Sequence, residues 1–466
     1  WDCSVACHTQ VVQTMVSKLA SAATTMGGAV GLTSFSLDVS FKSLRAPKFH
    51  ERRLPVPSEI VLINVSGEDQ PGLTAMLTST LAEYQVRVLD VGQAVIHDEL
   101  NLGMLVQISG LAQGASMASV LAALEEQARS LGMAVRCTPI SPGDYEEWVA
   151  AQGKPRYIVT LLAAGETGAQ LAAVTTIVQH FGLNIDAIRR LSGRLPLADH
   201  VTGRMTIEIG LRGVVSDPEA LKSELMGAAE RLGFDFSVQS DTVFRRTRRL
   251  VAFDMDSTLI NAEVIDELAK RHGVGDAVAA ITERAMRGEL QFKDSFRARA
   301  SLLKGLPEHC LREVAESVSL NDGAHRLLRS LRHFGFKTAI ISGGFQYVGE
   351  RLSEELGIDY VQANTLEIRD GVMTGEVVGE IIDAARKAAL LAEISHREGI
   401  SSQQTIAIGD GANDLPMLNA AGLGVAYHAK PVVRETASHA ISEFGLDSVL
   451  YLMGFSDRDI EEALAG

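Results

Sequence analysis

Residues 250–258 read LVAFDMDST, an apolar run that ends in two carboxylates, Asp254 and Asp256, followed at once by the hydroxyls of Ser257 and Thr258. A carboxylate can attack phosphorus and form an acyl phosphate. A second carboxyl two residues on in an extended chain projects to the same side and can exchange a proton with the leaving group. Alone the pattern is weak: Asp and Ser are turn formers, and a D-x-D-x-[ST] string arises by chance in about one chain of this length in five to ten. Two later segments, KTAIISGG (337–344) and TIAIGDGAND (405–414), are again apolar runs that stop at Ser342, Gly343 and Gly344 and at Asp410, Asn413 and Asp414. Between them IIDAARKAALLAEI (381–394) carries Lys387 near the start of an expected helix. A carboxylate approaching an anion needs a divalent cation and a fixed positive charge. Asp254 and Asp410, with a backbone carbonyl near Asp256, offer the hard oxygens that suit Mg²⁺. Lys387 is the point charge, Ser342 supplies a hydroxyl, and the glycines let N–H groups turn toward phosphate oxygens.

The elements that must hold these groups follow from the same runs. Four to six consecutive apolar residues suit buried strands of a parallel sheet, and ligands bind beyond the carboxyl ends of such strands. Two further residues bear on specificity. Phe292, Phe296 and Leu303 recur at about helical spacing, and Arg299 falls within that stripe while Arg297 falls off it. A guanidinium among apolar groups wants a carboxylate partner. Glu263 is expected in the first turn of a helix begun by Asn261, where a carboxylate also favours the helix dipole without any ligand.

These segments resemble the haloacid dehalogenase superfamily, and from residue 248 onward the chain is similar to its phosphoserine phosphatase family. DMDSTLINAEVIDELA, SFRARASLLKGLP, ISGGFQYV, ANTLEIRDGVMTGEV and GDGANDLPMLNAAGLGVAYHAKP carry that resemblance in order and spacing. It implies that Asp254 is the nucleophile and Asp256 the acid/base. It implies further that Ser342, Gly343 and Lys387 hold phosphate, that Asp254, Asp256 and Asp410 bind Mg²⁺, and that Asn413 and Asp414 orient the metal site, Asn413 also facing substrate. Arg299 would take the carboxylate of O-phospho-L-serine and Glu263 its ammonium, beneath a helical cap over about 262–325.

Upstream, residues 58–241 repeat one pattern. IVLINV, TAMLTSTLAEYQV, a strand to about Val95, LGMLVQISG, MASVLAALEEQARSLG and AVRCTPI give β-α-β-β-α-β, and YIVTLLA through FDFSVQS give it again. In SGEDQPGLT, Pro71 fits a helix opening, and Gly72 allows close approach to a carboxylate-binding N-terminus. The pattern resembles the ACT domain, a sensor that usually binds amino acids. The resemblance implies an effector near Asp69 and Gly72 and, in the second copy, near Gly168, Asn184 and Asp186. Ordinary turn and capping chemistry accounts for the same residues equally well.

The expected architecture is α/β: a Rossmann-like parallel-sheet haloacid dehalogenase domain at 250–466, preceded by two ferredoxin-like ACT units at 58–141 and 155–241, a linker at 242–249 and a non-folding leader at 1–57. With 46% hydrophobic residues in 466, the chain can build three cores. Its net charge of −15 disfavours nucleic acid, no segment is long enough for a membrane span, and a cytoplasmic enzyme is the default. RRTRR (245–249) reads as a solvated hinge. Cys3, Cys7, Cys137 and Cys310 form no disulfide framework, and Cys3, Cys7 and His8 lack a fourth ligand. The resemblance implies hydrolysis of O-phospho-L-serine in the last step of serine biosynthesis, regulated by L-serine or another amino acid, in a homodimer paired through ACT-like units. Two competitors remain: a phosphatase of phosphoproteins or other small phosphomonoesters, and a noncatalytic amino-acid sensor. A P-loop enzyme is disfavoured because no G-x-x-x-x-G-K-[ST] string occurs.

Overall fold

The computed structural model describes residues 59–109, 116–165, 167–194, 196, 203–437 and 439–465. The expected leader, with Cys3, Cys7 and His8, lies outside them. The chain divides into two compact units, one ending at Pro142 and the other beginning at Gly143.

The first unit runs β1 (Glu59–Glu68), α1 (Leu73–Glu83), β2 (Arg87–Ile96), β3 (Glu99–Ile108), α2 (Met117–Ser130) and β4 (Ala134–Ile140). Its antiparallel sheet has the order β2-β3-β1-β4. Every second residue of β3 from Leu100 to Ile108 is buried, the period expected when one sheet face is covered. Leu73, Leu77 and Leu81 of α1 and Val120, Leu124 and Ala128 of α2 cover that face. At the edge, β2 leaves Val88, Val91 and Val95 exposed beside their buried neighbours in β3.

From Gly143 the second unit holds the rest of α3 (Pro142–Ala151), a helix with no buried residue. Then β5 (Arg156–Ala164), α4 (Gly168–His180), β6 (Asn184–Arg190), β7 (Arg204–Arg212), α5 (Pro218–Leu232) and β8 (Phe234–Ser240) repeat the βαββαβ order. After α6 (Val243–Arg246) comes the central strand β9 (Leu250–Phe253). Four helices, α7 (Val264–His272), α8 (Gly275–Met286), α9 (Phe292–Ser301) and α10 (His309–Ser317), precede α11 (Ala324–His333) and β10 (Lys337–Phe345). The rest is α12 (Gln346–Leu356), the hairpin β11 (Tyr360–Arg369) and β12 (Val372–Val378), α13 (Ala384–Arg397), β13 (Thr405–Gly409), α14 (Leu415–Ala420), β14 (Leu423–Tyr427), α15 (Pro431–Thr436), β15 (His439–Ile441), α16 (Ser448–Leu452) and α17 (Asp457–Ala465). None of the described helices is long and apolar enough to cross a membrane.

All strands of this unit join one eleven-stranded sheet, ordered β12-β11-β10-β9-β13-β14-β15-β8-β5-β7-β6. From β11 to β15 the pairs are parallel. Strand β9 lies between β10 and β13, so the chain leaves it toward opposite sides in succession, and its carboxyl end is the topological switch point where open α/β sheets bind ligands.

RRTRR (245–249), expected as a solvated hinge, is solvated only in part. β8 pairs with β15 at Phe236 and Ala440, so the ferredoxin-like half extends the parallel sheet and buries two arginines of the basic run, while Arg246 and Arg249 stay exposed. Arg245 is buried and pairs with Glu208 at 2.5 Å, while buried Arg248 donates to Gln239 Oε1 at 2.9 Å. Elsewhere on this seam Arg204 pairs with Asp447 at 3.1 Å and donates to the Tyr451 hydroxyl at 2.8 Å, and Asp447 also takes Arg326 at 2.7 Å.

The His439 ring lies 3.0 Å from Ser237 Oγ across the seam, and burial holds its pKa down at about 3 against an ordinary 6.5. A lowered histidine value stabilises fully above the unfolded pKa, and the contribution is lost as pH falls from 6.5 toward 3. Wild-type stability is therefore expected to drop across that interval with a His439 component of up to about 1.4 kcal/mol per pH unit. Burial raises Asp235 to about 6 and gives it the opposite slope, which cancels between wild type and variant. His439→Gln should flatten the acid limb in urea unfolding at pH 7 and pH 5; parallel limbs would contradict this account.

Candidate active site

Strand β9 is buried along its whole length, and both flanking strands are hydrogen-bonded to it. It therefore delivers Asp254 into the interior at a defined point. The Asp254 N–H donates to the Ile408 carbonyl at 2.8 Å, and its Oδ1 accepts the Met255 N–H at 2.7 Å. Its Oδ2 pairs with Lys387 Nζ at 2.8 Å. Helix α13 starts with Asp383, whose side chain accepts the Arg386 N–H at 2.9 Å, and so sets Lys387 in its first turn. Lys387 is fully buried and also pairs with Asp414 Oδ1 at 2.7 Å. Burial alone would discharge it, but the two carboxylates outweigh that cost and raise its pKa above the ordinary lysine value.

Carboxylate oxygens of Asp254, Asp410 and Asp414 lie within 4.8 Å of one another. Burial first, and then the Asp254 charge, push Asp410 up to about 6 and Asp414 up to about 7. A cluster of hard oxygen donors under mutual repulsion is the donor set that Mg²⁺ takes. Asp414 is partly committed already, because its Oδ2 accepts the Gly411 N–H at 2.9 Å. Asp410 Oδ1 is fixed by the Thr258 hydroxyl at 2.7 Å. Asn413 sits in the short 3₁₀ turn just before α14, beside Asp414.

Asp256 points to the other flank. Its Oδ1 accepts the Val264 N–H at 3.3 Å, and a Cβ at Gly344 would collide with its carboxylate. Burial and the charges of Glu263 and Asp254 lift its pKa well above the usual carboxylate range, the direction that a proton donor needs. Ser342 is buried, and its Oγ accepts the Gly344 N–H at 2.9 Å, which leaves the hydroxyl proton free to donate. Strand β10 continues through this Ser-Gly-Gly run across an irregularity instead of ending before it. Asn364, which the sequence reading passed over, donates to the Gly343 carbonyl at 2.8 Å and accepts the Ile382 N–H at 2.9 Å. One buried amide thus ties the Ser342 loop to the approach to α13.

Glu263 is the cap residue before α7, whose first residue is Val264, and not a first-turn residue of a helix opened by Asn261. The Asn261 N–H is taken instead by the Ser319 carbonyl at 2.9 Å, next to the bridge that Ile260 forms with Leu320. Glu263 is exposed at its surface, its Oε1 accepts the Ser257 hydroxyl at 2.8 Å, and desolvation by the surrounding protein raises its pKa. Among the described residues Arg299 reaches only Thr282 Oγ1, at 3.5 Å, and its Nε is buried without a partner. Burial lowers its pKa, although Glu263 is near enough to oppose the shift. Phe292 of the same helix packs over Gly343 and Phe296 lies 5.7 Å from Phe345, which brings α9 down onto the strand ends.

The expected effector residues fare unevenly. Gly72 is left-handed, with φ 94°, at the N-terminus of α1, which has no side-chain cap and no acidic residue in its first turn. Asp69 is exposed, and its N–H is taken by the Asp98 carbonyl at 2.7 Å. Gly168 does not adopt the Gly72 conformation: it is the first helical residue of α4, and Thr167 stands at the cap position. Asp186 Oδ1 is held by Arg212 at 3.0 Å and by Asn184 Nδ2 at 2.7 Å, so both residues of that pair are engaged with each other and the arginine.

A protein of Streptomyces coelicolor named phosphoserine phosphatase is 42% identical over 405 residues, which is 86% of this chain and 94% of its own length. The chain belongs to the phosphoserine phosphatase family. Phosphoserine phosphatase SerB2 of Mycobacterium tuberculosis is 38% identical over 413 residues, 88% of this chain and 97% of its own. A haloacid dehalogenase-like hydrolase model matches residues 251–419 and an ACT domain model residues 59–138. Among solved structures, a probable phosphoserine phosphatase of Vibrio cholerae superimposes with TM-score 0.52 and 37% identity over 66% of this chain and 88% of its own. The chain is thus an enzyme of the haloacid dehalogenase type with an N-terminal ACT domain, and the noncatalytic alternative falls.

Lys387→Met leaves two buried carboxylates without their cation. In metal-free buffer at pH 7 the phosphatase should lose about 3–5 kcal/mol of stability, as broken buried pairs do. The loss should shrink at pH 5, where Asp414, already raised to about 7, takes a proton. An equal loss at both pH values in chemical denaturation would contradict the pairing.

Proposed function

We propose that this phosphatase hydrolyses O-phospho-L-serine by covalent catalysis at Asp254, and the observation that carries the substrate assignment is the buried, unpartnered Nε of Arg299 beneath the same helices as Glu263. Arg299 has no ion-pair partner among the described residues, and a buried guanidinium with a donor to spare can take a carboxylate. Glu263 then receives the ammonium, and Ser342 and Lys387 receive the phosphate. Burial of Asp254, Ser342 and Lys387 favours a small phosphomonoester over a phosphoprotein.

In the first step an Asp254 carboxylate oxygen bonds to phosphorus while the bond from phosphorus to the serine oxygen breaks, and Asp256 gives its proton to that oxygen. L-Serine leaves. Asp256, now a carboxylate, takes a proton from water as the water oxygen attacks phosphorus, and the bond to Asp254 breaks to release phosphate. Asp254, Asp410 and the Asp256 backbone carbonyl would hold Mg²⁺, with Asp414 and Asn413 beside them. Bound there, the ion would supply positive charge that offsets the repulsion between carboxylate and phosphate.

Asp254→Asn should trap no phosphate and should turn over no substrate. Arg299→Leu should cut kcat/KM for phosphoserine by about 2–5 kcal/mol of transition-state binding, the usual cost of losing a buried charge partner, and should spare p-nitrophenyl phosphate. Equal losses on both substrates would remove Arg299 from serine recognition.

We further propose that the first unit senses an amino acid through the open N-terminus of α1 at Gly72, with L-serine the leading candidate. A second copy would pair along β2, whose exposed valines mark an uncovered edge. Titrating the full chain with serine and other amino acids, with turnover and light-scattering mass read together, tests both. A monomeric enzyme indifferent to every amino acid would end this reading.

A further inference from the structure

The helices over the site join the sheet through two chain crossings, residues 257–263 leading out of β9 and residues 318–323 returning to α11. They run side by side. The Asn261 N–H donates to the Ser319 carbonyl at 2.9 Å, the Asn321 N–H donates to the Leu259 carbonyl at 3.0 Å, and Ile260 and Leu320 form an antiparallel bridge. The Asn321 side chain adds a second clasp. Its Nδ2 lies 2.8 Å from the Thr258 carbonyl, 3.2 Å from that of Ser257 and 3.4 Å from that of Ile260. Three acceptors converging on one group demand a donor, which fixes the amide orientation.

The two residues so held turn their hydroxyls to the reacting centre: Ser257 donates to Glu263 at 2.8 Å, and Thr258 donates to Asp410 at 2.7 Å. Ser257 is also left-handed, with φ 58°, a conformation that costs a residue with a Cβ about 1–2 kcal/mol and needs support from outside. That support is itself braced from behind. The Leu446 N–H donates to the Asp322 carbonyl at 2.8 Å, and Gly323 leaves no room for a Cβ against Asp447.

We infer that Asn321 is a positioning residue for the phosphatase reaction. By holding the carbonyls of Ser257 and Thr258 it aims one hydroxyl at the carboxylate that receives the substrate ammonium and the other at a carboxylate of the cation cluster. It touches neither ligand, and the inference rests on the roles proposed above for Glu263 and Asp410.

The test uses the full chain with Asn321→Leu, Asn321→Asp and Asn321→Gln. Three quantities are read: Mg²⁺ affinity by titration calorimetry, KM for phosphoserine against p-nitrophenyl phosphate, and Tm. The Leu and Asp variants should weaken Mg²⁺ binding by about tenfold or more, as lost outer hydrogen bonds do in metal sites. They should also raise KM for phosphoserine more than for p-nitrophenyl phosphate, while Gln, which restores a donor, should recover part of both. A fall in Tm alone, with Mg²⁺ affinity and KM within about twofold of wild type, overturns the inference and leaves Asn321 a structural residue. Should Leu and Asp fail to fold, Asn321→Gln and Asn321→Ser, each with a donor at altered reach, report the same constants. A wild-type chain that binds no Mg²⁺ overturns the cation reading itself and this inference with it.

Discussion

The fully buried ammonium of Lys387, shared between Asp254 and Asp414, is the interaction around which the site is organised. Three clustered carboxylates and one ammonium leave two negative charges in excess. Left alone, such a cluster relieves itself by holding protons, as the raised values of Asp410 and Asp414 record. A doubly charged cation relieves it better, and a phosphate can enter only after that relief. Burial makes the balance matter, because the same charges in water would be screened to little effect.

The sheet supplies the geometry this balance requires. Strand β9 is central, short and apolar, so Asp254 emerges at a fixed depth between the ends of β10 and β13. Ser342 and Asp410 come from those neighbours, and Lys387 comes from a helix whose start Asp383 defines. Lys387 and Asp410, 133 and 156 positions from Asp254 in sequence, therefore come within 2.8 Å and 4.8 Å of its carboxylate, because parallel strands bring their carboxyl ends to one rim.

Much of this was legible in the sequence, for a physical reason: apolar runs that end in polar groups announce both the strands and the residues they deliver. The helical stripe likewise separated Arg299 from Arg297, and the structure has the first partly buried while the second reaches Asp294 at the surface. Other features left no local trace. Arg204 and Asp447 are 243 positions apart, and β8 joins β15 through a single bridging pair, so nothing in RRTRR revealed that two of its arginines lie inside. Asn364 and Asn321 each act on backbone carbonyls, and an amide that binds backbone has no partner residue type to betray it. The second ferredoxin-like unit keeps its pattern of strands, but the pattern could not tell that Thr167 and not Gly168 would cap its first helix.

The junction of β8 with β15 has one more consequence. A three-stranded lip such as β13-β14-β15, ending in a short strand with free amides on one side, is a template on which another chain can polymerise. Here the antiparallel half occupies that side, and the outermost strand of the whole array becomes β6, whose edge carries charged residues such as Asp186, Arg189 and Arg190. The antiparallel half thus covers the free side of β15 and moves that open edge of the sheet to the charged strand β6.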